Sequence, residues 1–364
     1  ADFCRDFGSE ATAFLLSRTR EFPPEETIVV VNDVSEAPDM SRLAEAGYRQ
    51  CSIWHVDVVE FFNRIYLGRF LSPQQVARVF RLWEDLGLGP LMPGVLKLVF
   101  QKQRVSIENS DILFIPSRGM AGVLEECYPD RAPGAAPLGE RIRVVPWGSW
   151  KEEAPFAEED ARRLAAHYQI GPRTRVLMTL SRISPEKGID ILLEALRLLE
   201  ERGRLPKDLC LFVCGEPAFM RGVSYSRRVR EAAERLGAVR VFFPGHLPSR
   251  EKQAYFRLAH LFVSPSVHES YGLAVAEAMR AGVPVLAGDH HGAREMLDEE
   301  CGRVVSYGRD PREALAEGLA DLLGDLERLR TMGERARRRA ERTDFSQAAH
   351  KVLAAVLSLP PKKS

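Results

Sequence analysis

The sequence lacks an excess of charge of either sign. Its 364 residues include 51 Lys and Arg and 51 Asp and Glu, so the formal net charge is zero. Without a global basic field there is no long-range attraction for nucleic acid, which is therefore not an expected partner. Any anion site must be local. Up to Trp150 there are 16 basic and 20 acidic residues, and after it 35 and 31, so the mildly basic second part is the expected place for a phosphate.

Long apolar runs and dense cysteines are also missing. No segment approaches the roughly 18 apolar residues of a membrane span, and Ala1 to Arg5 lack the layout of a signal peptide. The six cysteines are scattered, unlike those of a secreted disulfide scaffold. Cys210 and Cys214 are interpreted as buried thiols on one face of a strand. These absences predict a cytoplasmic chain that folds as a globular protein, with 45% hydrophobic and 28% charged residues.

The second part of the chain alternates short apolar runs with amphipathic stretches. A chain of this length favours two cores, and strand-helix repetition predicts a doubly wound parallel α/β sheet with ligands at the carboxyl ends of its strands. Ile189 to Leu199 has the apolar periodicity of a helix. The predicted strands lie at 176–180, 209–214, 241–243, 261–263 and 283–286.

The first part predicts a second α/β domain. Its expected strands are 27–31, 50–54, 111–115 and 142–145, and its expected long helices are 72–85 and 95–110. Asp57 is expected to begin a helix, and Ser117 to cap one. A break in periodicity at 146–157 separates the domains. The predicted division is 1–150, 151–345, and a C-terminal helix and tail at 346–364, for which a return to the first domain is an open alternative.

The first chemical motif runs from Leu180 to Gly188. It leaves a buried strand and opens a helix, so Arg182 and Lys187 are presented at the carboxyl end of that strand. A guanidinium fork and a compact ammonium that converge on one point suit a diphosphate. The alternative is an ordinary loop with a solvated Arg and Lys.

The second motif runs from Ser264 to Met279. Gly272 permits a close approach of backbone to ligand at a helix start, where free N–H groups favour phosphate. Glu277 is a carboxylate on an otherwise apolar helix, and ribose hydroxyls are suitable donors to it. The alternative for Glu277 is a structural salt bridge.

These motifs resemble those of the retaining glycosyltransferase family 4, in the GT-B superfamily. Glu269 and Glu277 match the E-x7-E signature of that family, and Arg182, Lys187 and Gly188 match its Arg-x4-Lys-Gly loop. The runs 278–285 and 292–295 also follow the family pattern, in the family's order. The resemblance implies a GT-B fold, in which two Rossmann-like domains face a central cleft.

The resemblance also implies roles for individual residues. Arg182 and Lys187 would hold the diphosphate of a nucleotide diphosphate sugar, with backbone amides from Gly272 and Leu273. Glu277 would bind the ribose and Glu269 the transferred sugar. The expected donor-binding set also includes Gly245 and His246, in the turn where the nucleotide base lies against the backbone in this family. Ser181, beside Arg182, completes the set.

The implied reaction is retaining transfer of a hexose on one face of the sugar, without a metal cofactor. The departing diphosphate helps to activate the acceptor hydroxyl, and preplaced cations stabilise the charge that builds on it. No Asp-x-Asp follows a strand, so no metal ligand is predicted. The acceptor, whether sugar, glycan or lipid-linked, is not identified.

Resemblance in the first part is thinner. His55 follows a strand at the place where the family often keeps a histidine beside the transferred sugar. The alternatives are a helix cap or a core histidine. Asn32 and Asp33 are weaker acceptor-side candidates. The family's paired-glycine loop has no full counterpart: either its segment is missing or Gly8 does that work alone.

Two further questions stay open at the level of sequence. The aromatic and basic segment 81–104 suits either the packing of two core helices, which is favoured, or a membrane surface. The incomplete glycine loop leaves a non-catalytic subunit of the same fold, binding a sugar nucleotide or a partner protein, as the alternative to an enzyme. An epimerase of this fold should lack the two glutamates, and a dinucleotide dehydrogenase should have a Gly-x-Gly-x-x-Gly loop.

Overall fold

The computed structural model describes residues 2–66, 71–88, 91, 94–129, 136–150, 158–218 and 222–361. The chain forms two compact units, one of Ala1–Pro146 with Gln347–Ser364 and the other of Trp147–Ser346. The division lies beside the expected join at 146–157, of which 151–157 is outside the described residues. Within the described residues, no helix is both long and apolar enough to cross a membrane.

The first unit contains a parallel sheet whose strands follow chain order, β1-β2-β3-β4. The strands are β1 (Ile28–Asn32), β2 (Arg49–Ile53), β3 (Ile112–Ile115) and β4 (Ile142–Val144). The helices are α1 (Asp2–Ser17), α2 (Met40–Glu45), α3 (Val58–Tyr66), α4 (Pro73–Asp85), α5 (Gly94–Asn109), α6 (Arg118–Cys127) and α7 (Leu138–Arg141). All four predicted strands and both predicted long helices are confirmed, whereas α1 was not predicted.

Side-chain caps explain where several helices of the first unit begin. Ser72 and Gln75 form a reciprocal capping box at the start of α4, with Pro73 in its first turn. Ser117 accepts a hydrogen bond from the N–H of Met120 and caps α6, as predicted. Asp57 accepts from the N–H of Glu60 at 2.8 Å, which confirms that it begins α3.

Asp57 is buried, and burial raises its pKa to about 6 despite hydrogen bonds from the Glu60 N–H and the Gln103 amide. Its folded-state pKa thus exceeds the unfolded value, so its stabilising contribution is complete below about pH 4 and is lost as the pH rises through about 6. Because a pKa unit corresponds to about 1.4 kcal/mol, the loss is on the order of 3 kcal/mol. Asp57→Asn should remove this pH dependence. The free energy of unfolding of the variant, relative to that of the wild type, should therefore increase between pH 4 and pH 7. Urea unfolding at both values checks this, and parallel pH profiles would contradict it.

The second unit contains a parallel sheet of order β10-β9-β8-β5-β6-β7. The strands are β5 (Arg175–Leu180), β6 (Leu209–Cys214), β7 (Val239–Gly245), β8 (Leu261–Ser264), β9 (Val285–Gly288) and β10 (Gly302–Val305). The helices are α8 (Glu158–His167), α9 (Ile189–Glu201), α10 (Gly222–Glu234), α11 (Ser249–Leu258), α12 (Leu273–Arg280), α13 (His291–Met296), α14 (Pro311–Leu323) and α15 (Leu326–Ala340). Five of the six strands were predicted, and β10 was not.

The core of the second unit follows the predicted pattern. The apolar face of α9 is buried from Ile189 to Leu199, and every residue of β6 is buried, as expected for a strand covered on both faces. Cys210 and Cys214 are buried thiols, as interpreted from the sequence. Burial raises the pKa of Cys210 to about 12, so this thiol stays protonated and unreactive.

The last helix, α16 (Phe345–Leu357), begins at the end of the second unit and continues into residues assigned to the first. Within the first unit, the Arg49 guanidinium donates to the carbonyl of Leu359 at 2.9 Å. It also donates to the carbonyl of Glu25 at 3.2 Å. Arg49 therefore attaches the C-terminal segment to the start of β2.

Candidate functional site

Polar loops follow the two central strands of the sheet in the second unit. β5 and β8 are neighbours, and the chain proceeds outward from them in opposite directions. The two strands pair through Leu177 and Leu261. At such a reversal the two loops diverge and open a crevice at the carboxyl edge of the sheet. The two motifs identified in the sequence, 180–188 and 264–279, follow β5 and β8 respectively.

Lys187 and Glu269 bring these two loops together. The Lys187 ammonium lies 2.5 Å from Oε2 of Glu269, and their side chains are 14% and 24% exposed. The backbone reinforces the contact, because the N–H of Val267 donates to the carbonyl of Glu186 at 3.0 Å. An ammonium has three N–H donors, so Lys187 is able to hold Glu269 and a phosphate oxygen together.

Arg182 lies on the open side of the first loop. Its side chain is 73% exposed, and its guanidinium is 4.0 Å from a carboxylate oxygen of Glu186. The same oxygen accepts a hydrogen bond from the Ser184 hydroxyl at 2.5 Å. The N–H of Ser181 donates to the carbonyl of Cys214 at 3.1 Å, which fixes the start of the loop to β6. A fixed loop with an exposed guanidinium suits the capture of an anion.

Gly188 is required where the two loops touch. Its φ is 62°, and a Cβ at this position would lie 2.2 Å from the carbonyl oxygen of Pro265. That carbonyl accepts a hydrogen bond from the Tyr307 hydroxyl at 2.7 Å. Since the Pro265 carbonyl is held in place, a side chain at position 188 would push the loops apart.

The second loop ends at Gly272, the N-cap of α12, with φ 93°. The first N–H groups of a helix have no partner within the helix, and Leu273 is 55% exposed, so this helix start is open to solvent. Gly292 supports the loop from behind, because a Cβ there would lie 1.5 Å from the carbonyl oxygen of Tyr271. The N–H of Gly292 also donates to the carbonyl of Glu269 at 3.3 Å.

Tyr271 fixes the same loop on its other side. Burial raises the pKa of Tyr271 to about 12, so the phenol stays neutral. Its hydroxyl oxygen accepts a hydrogen bond from the N–H of Gly148 at 2.8 Å. Glu269 and Gly272 are therefore on a loop that is held by hydrogen bonds from Gly148 and Gly292.

Glu277 lies on α12 and forms an ion pair with Lys252 of α11. The Lys252 ammonium is 2.8 Å from Oε1 of Glu277, with side-chain exposures of 13% and 28%. The salt bridge weighed as the alternative for Glu277 is therefore present. A carboxylate has further acceptor sites, so the same group is able to accept from hydroxyls as well.

A cavity of about 490 Å³ lies at the carboxyl ends of β5, β6 and β7. Beside this cavity, the N–H of Gly215, directly after β6, donates to the carbonyl of Gly245 at the end of β7, at 2.7 Å. The cavity is lined by Leu180 to Arg182, Gly215 to Ala218, His246, Leu247 and Lys252. Ser181, Arg182 and His246, all named from the sequence, thus share one cavity with Lys252.

In the first unit, His55 and Asn32 meet at the carboxyl ends of β2 and β1. A ring nitrogen of His55 is 2.8 Å from the Asn32 side-chain oxygen, at an exposed position. The core and helix-cap interpretations of His55 are therefore wrong, and Asp57 caps α3 instead. Asp33 has φ 98°, unusual for a residue with a side chain, and accepts from both the N–H and the hydroxyl of Ser35.

The expectation that Gly8 forms a glycine loop is wrong. Gly8 is buried within α1 and does not lie between a strand and a helix. A Cβ there would lie 2.7 Å from the carbonyl oxygen of Ala37. Gly8 therefore permits α1 to pack closely against the segment after β1.

Sequence reasoning missed Lys252 and Glu186. Lys252 lies on a helix distant in sequence from Glu277, and nothing in its neighbours identifies the pairing. The sequence motif contains Glu186 without indicating a role for it, although its position between Arg182 and Lys187 is a visible signal. Across the described residues, no group of three His, Cys, Asp or Glu side chains is arranged to hold a metal ion.

Part of the chain matches a known protein family. Residues 161–339 match the model of the family described as glycosyl transferases group 1. Over 260 residues the chain is 29% identical to D-inositol 3-phosphate glycosyltransferase of Corynebacterium urealyticum, covering 70% of this chain and 58% of that protein. Over 186 residues it is 36% identical to the GDP-mannose-dependent alpha-(1-6)-phosphatidylinositol monomannoside mannosyltransferase of Mycolicibacterium smegmatis, covering 48% and 46%.

The chain thus spans about half the length of these curated relatives. Among solved structures, HepE of Anabaena in complex with UDP-glucose matches with a TM-score of 0.66 and 18% identity, covering 95% of this chain and 82% of that one. At that identity the likeness concerns the fold. The chain has the α/β fold of the GT-B glycosyltransferases, and its residues 161–339 belong to the glycosyl transferases group 1 family.

Proposed function

We propose that this protein is a retaining glycosyltransferase that moves a hexose from a nucleotide diphosphate sugar to a hydroxyl acceptor. The observation that carries the proposal is the convergence of Lys187 with Glu269, and of Lys252 with Glu277, around the start of α12. Two ammonium groups, two carboxylates and an open helix start suit a ligand with a diphosphate at its centre and hydroxyls at both ends.

Arg182 and Lys187 bind the diphosphate, and the N–H groups of Gly272 and Leu273 complete its site. When the bond between the sugar and the diphosphate breaks, negative charge builds on the departing phosphate. Cations and N–H groups held in place beforehand stabilise that charge without reorganisation. Since these groups supply the countercharge, we propose that no metal cofactor is needed.

The two glutamates act at opposite ends of the donor. Glu277, oriented by Lys252, accepts from the ribose hydroxyls, and the base occupies the cavity that His246 lines, next to Gly245 in the chain. Glu269 accepts from hydroxyls of the transferred sugar. With the sugar held between Glu269 and the diphosphate, the acceptor attacks from the face that the diphosphate leaves, and its proton passes to a departing phosphate oxygen.

The acceptor side is assigned to the first unit. We propose that His55, which is exposed and has its ring oriented by Asn32, binds a hydroxyl of the acceptor. The Corynebacterium relative is named for inositol 3-phosphate and the Mycolicibacterium relative for a phosphatidylinositol mannoside. A cyclic polyol or a sugar, free or lipid-linked, is therefore the acceptor class to test first.

The donor is identified by a thermal-shift screen of the purified chain against UDP, GDP and ADP and their hexose derivatives. We expect one nucleotide series to raise the melting temperature, with the same shift in EDTA. Release of the nucleoside diphosphate from the matching donor should also proceed in EDTA. Abolition of release by EDTA with recovery in Mg²⁺ would contradict the metal-independent mechanism.

One observation favours a second candidate, a non-catalytic subunit that binds a sugar nucleotide. Gly8 lies in a helix and not in a loop after a strand, so it does not act as the glycine loop of the family. Donor hydrolysis separates the candidates, because a binder gives the thermal shift without releasing nucleoside diphosphate.

A further inference from the structure

The turn after β6 presents a carboxylate to the cavity of about 490 Å³. Glu216 lies in this turn, and its side chain is exposed. Of the described residues that line the cavity, Glu216 is the only acidic one, whereas Arg182 and Lys252 are basic. A carboxylate repels a diphosphate that binds nearby, so its presence here is favourable only if another part of the ligand donates hydrogen bonds to it.

The backbone around Glu216 is held by three hydrogen bonds. The N–H of Gly215 donates to the carbonyl of Gly245 at 2.7 Å, and the N–H of Ile183 donates to the carbonyl of Glu216 at 2.8 Å. The N–H of Ala218 donates to the carbonyl of Ile183 at 3.2 Å. The Glu216 side chain therefore extends from a fixed turn, which suits a residue that discriminates between ligands.

The Glu216 carboxylate forms no hydrogen bond or ion pair with any residue that the structure describes. By contrast, the two carboxylates at the start of α12 are each paired with a lysine. Glu269 is 2.5 Å from the Lys187 ammonium, and Glu277 is 2.8 Å from that of Lys252. Both oxygens of Glu216 are thus open to donors from a ligand.

The order of the strands places Glu216 between the proposed positions of the diphosphate and the base. β5, β6 and β7 are neighbours in the sheet, and neighbouring strands are about 4.8 Å apart. The loop with Arg182 follows β5, Glu216 follows β6, and His246 follows β7. A nucleotide with its diphosphate at Arg182 and its base beside His246 therefore extends past Glu216.

Given the function proposed above, on which this assignment rests, we propose that Glu216 selects a guanine base and therefore a GDP-linked hexose as the donor. Guanine has N1–H and the N2 amino group side by side, so one carboxylate accepts two parallel hydrogen bonds from it. The carboxylate of Glu216 acts on specificity and not on the bond that breaks.

Uracil and adenine do not match a carboxylate in this way. Uracil has a single N3–H between two carbonyl oxygens. Adenine has an N6 amino group beside the lone pair of N1. With either base, one carboxylate oxygen would accept a hydrogen bond while the other faced an acceptor of the base, and two acceptors repel each other.

The test is calorimetric titration of the purified full chain with GDP, UDP, ADP and inosine diphosphate, none of which carries a hexose. GDP should bind at least about tenfold more tightly than UDP or ADP, because a site built to accept from ligand donors rejects ligands that lack them. Inosine diphosphate lacks only the N2 amino group of GDP and should bind about tenfold or more weakly than GDP.

Glu216→Gln keeps the size of the side chain and changes its hydrogen-bonding pattern. A glutamine amide has one acceptor oxygen and one donor amino group, which match N1–H and the 2-carbonyl oxygen of xanthine. The variant should therefore bind GDP about tenfold or more weakly than the wild type does, and it should bind xanthosine diphosphate more tightly. Damage to the fold would not produce that gain.

A matched control is Glu231→Gln, which changes an exposed glutamate on α10 of the same unit. This variant should retain the affinities of the wild type within about twofold. Tighter binding of UDP or ADP than of GDP, or equal losses for all nucleotides in Glu216→Gln, would overturn the guanine assignment while the donor site stands. If no nucleoside diphosphate binds the wild-type chain, the proposed function fails together with this assignment.

Discussion

Replacing both Arg182 and Lys187 by alanine is expected to lower kcat/KM for the sugar nucleotide by about a hundredfold or more. Each substitution would remove the proposed charge-assisted contact to the diphosphate, of roughly 1.5–3 kcal/mol. The loss should exceed that of simple charge removal, because Lys187 also neutralises Glu269, 2.5 Å away. Without the ammonium, that carboxylate would repel the phosphate. Initial rates of nucleoside diphosphate release check the expectation.

The matched control is Arg197→Ala with Lys207→Ala, an Arg and a Lys exposed elsewhere in the second unit. This double variant should retain kcat/KM within about twofold, since surface charges away from the ligand contribute little. Circular dichroism and the melting temperature of both double variants report folding. Wild-type rates in a folded Arg182→Ala, Lys187→Ala chain would remove the diphosphate assignment.

Much of the fold is predictable because buried parallel strands have a distinctive sequence pattern. Runs such as Leu209 to Cys214 are apolar on both faces, which is required of a strand covered on both sides. The strand β10 escaped because it is short, opens with Gly302 and contains Arg303. Helix α1 was not predicted, because among its residues with described side chains Phe7 and Phe14 are both 47% exposed and do not form one buried face.

Some residues of the candidate site are recognisable from the neighbouring sequence, whereas others depend on contacts between distant parts of the chain. Arg182, Lys187 and Glu269 are found from sequence because each lies in a loop that directly follows a predicted strand. Lys252 is not, because its contact with Glu277 depends on how α11 packs beside α12. Gly8 was misassigned because a glycine in a helix that packs against a carbonyl looks the same in sequence as a glycine in a loop. The sequence gives the type of each residue, but it does not show which distant segments approach each other closely.

The second large effect concerns the two glutamates, which should be separable by kinetics. Glu277→Gln should raise KM by about tenfold with little change in kcat, because a ribose contact is equally strong in ground and transition states. Glu269→Gln should lower kcat by about ten- to a hundredfold, because we propose that Glu269 contacts the reacting sugar and because it holds Lys187. Calorimetric titration with the nucleoside diphosphate, which lacks the transferred hexose, isolates the ribose contact. Of these two substitutions, only Glu277→Gln should weaken that binding.

Lys252 provides a further arm of the same experiment. Since it pairs with Glu277 at 2.8 Å, Lys252→Met should weaken nucleoside diphosphate binding in the same direction as Glu277→Gln. If Lys252 acts by orienting Glu277, the variant with both Lys252→Met and Glu277→Gln should bind about as weakly as the single variant with the lower affinity. The reason is that, once either partner is replaced, no oriented carboxylate remains for the second substitution to affect. Additive losses would instead mean that Lys252 contacts the nucleotide itself.

If Glu269→Gln weakens nucleoside diphosphate binding while Glu277→Gln does not, the two glutamates have the reverse assignment. If neither substitution alters binding or turnover, the paired carboxylates have no part in donor recognition, and the non-catalytic candidate becomes the better account of this fold.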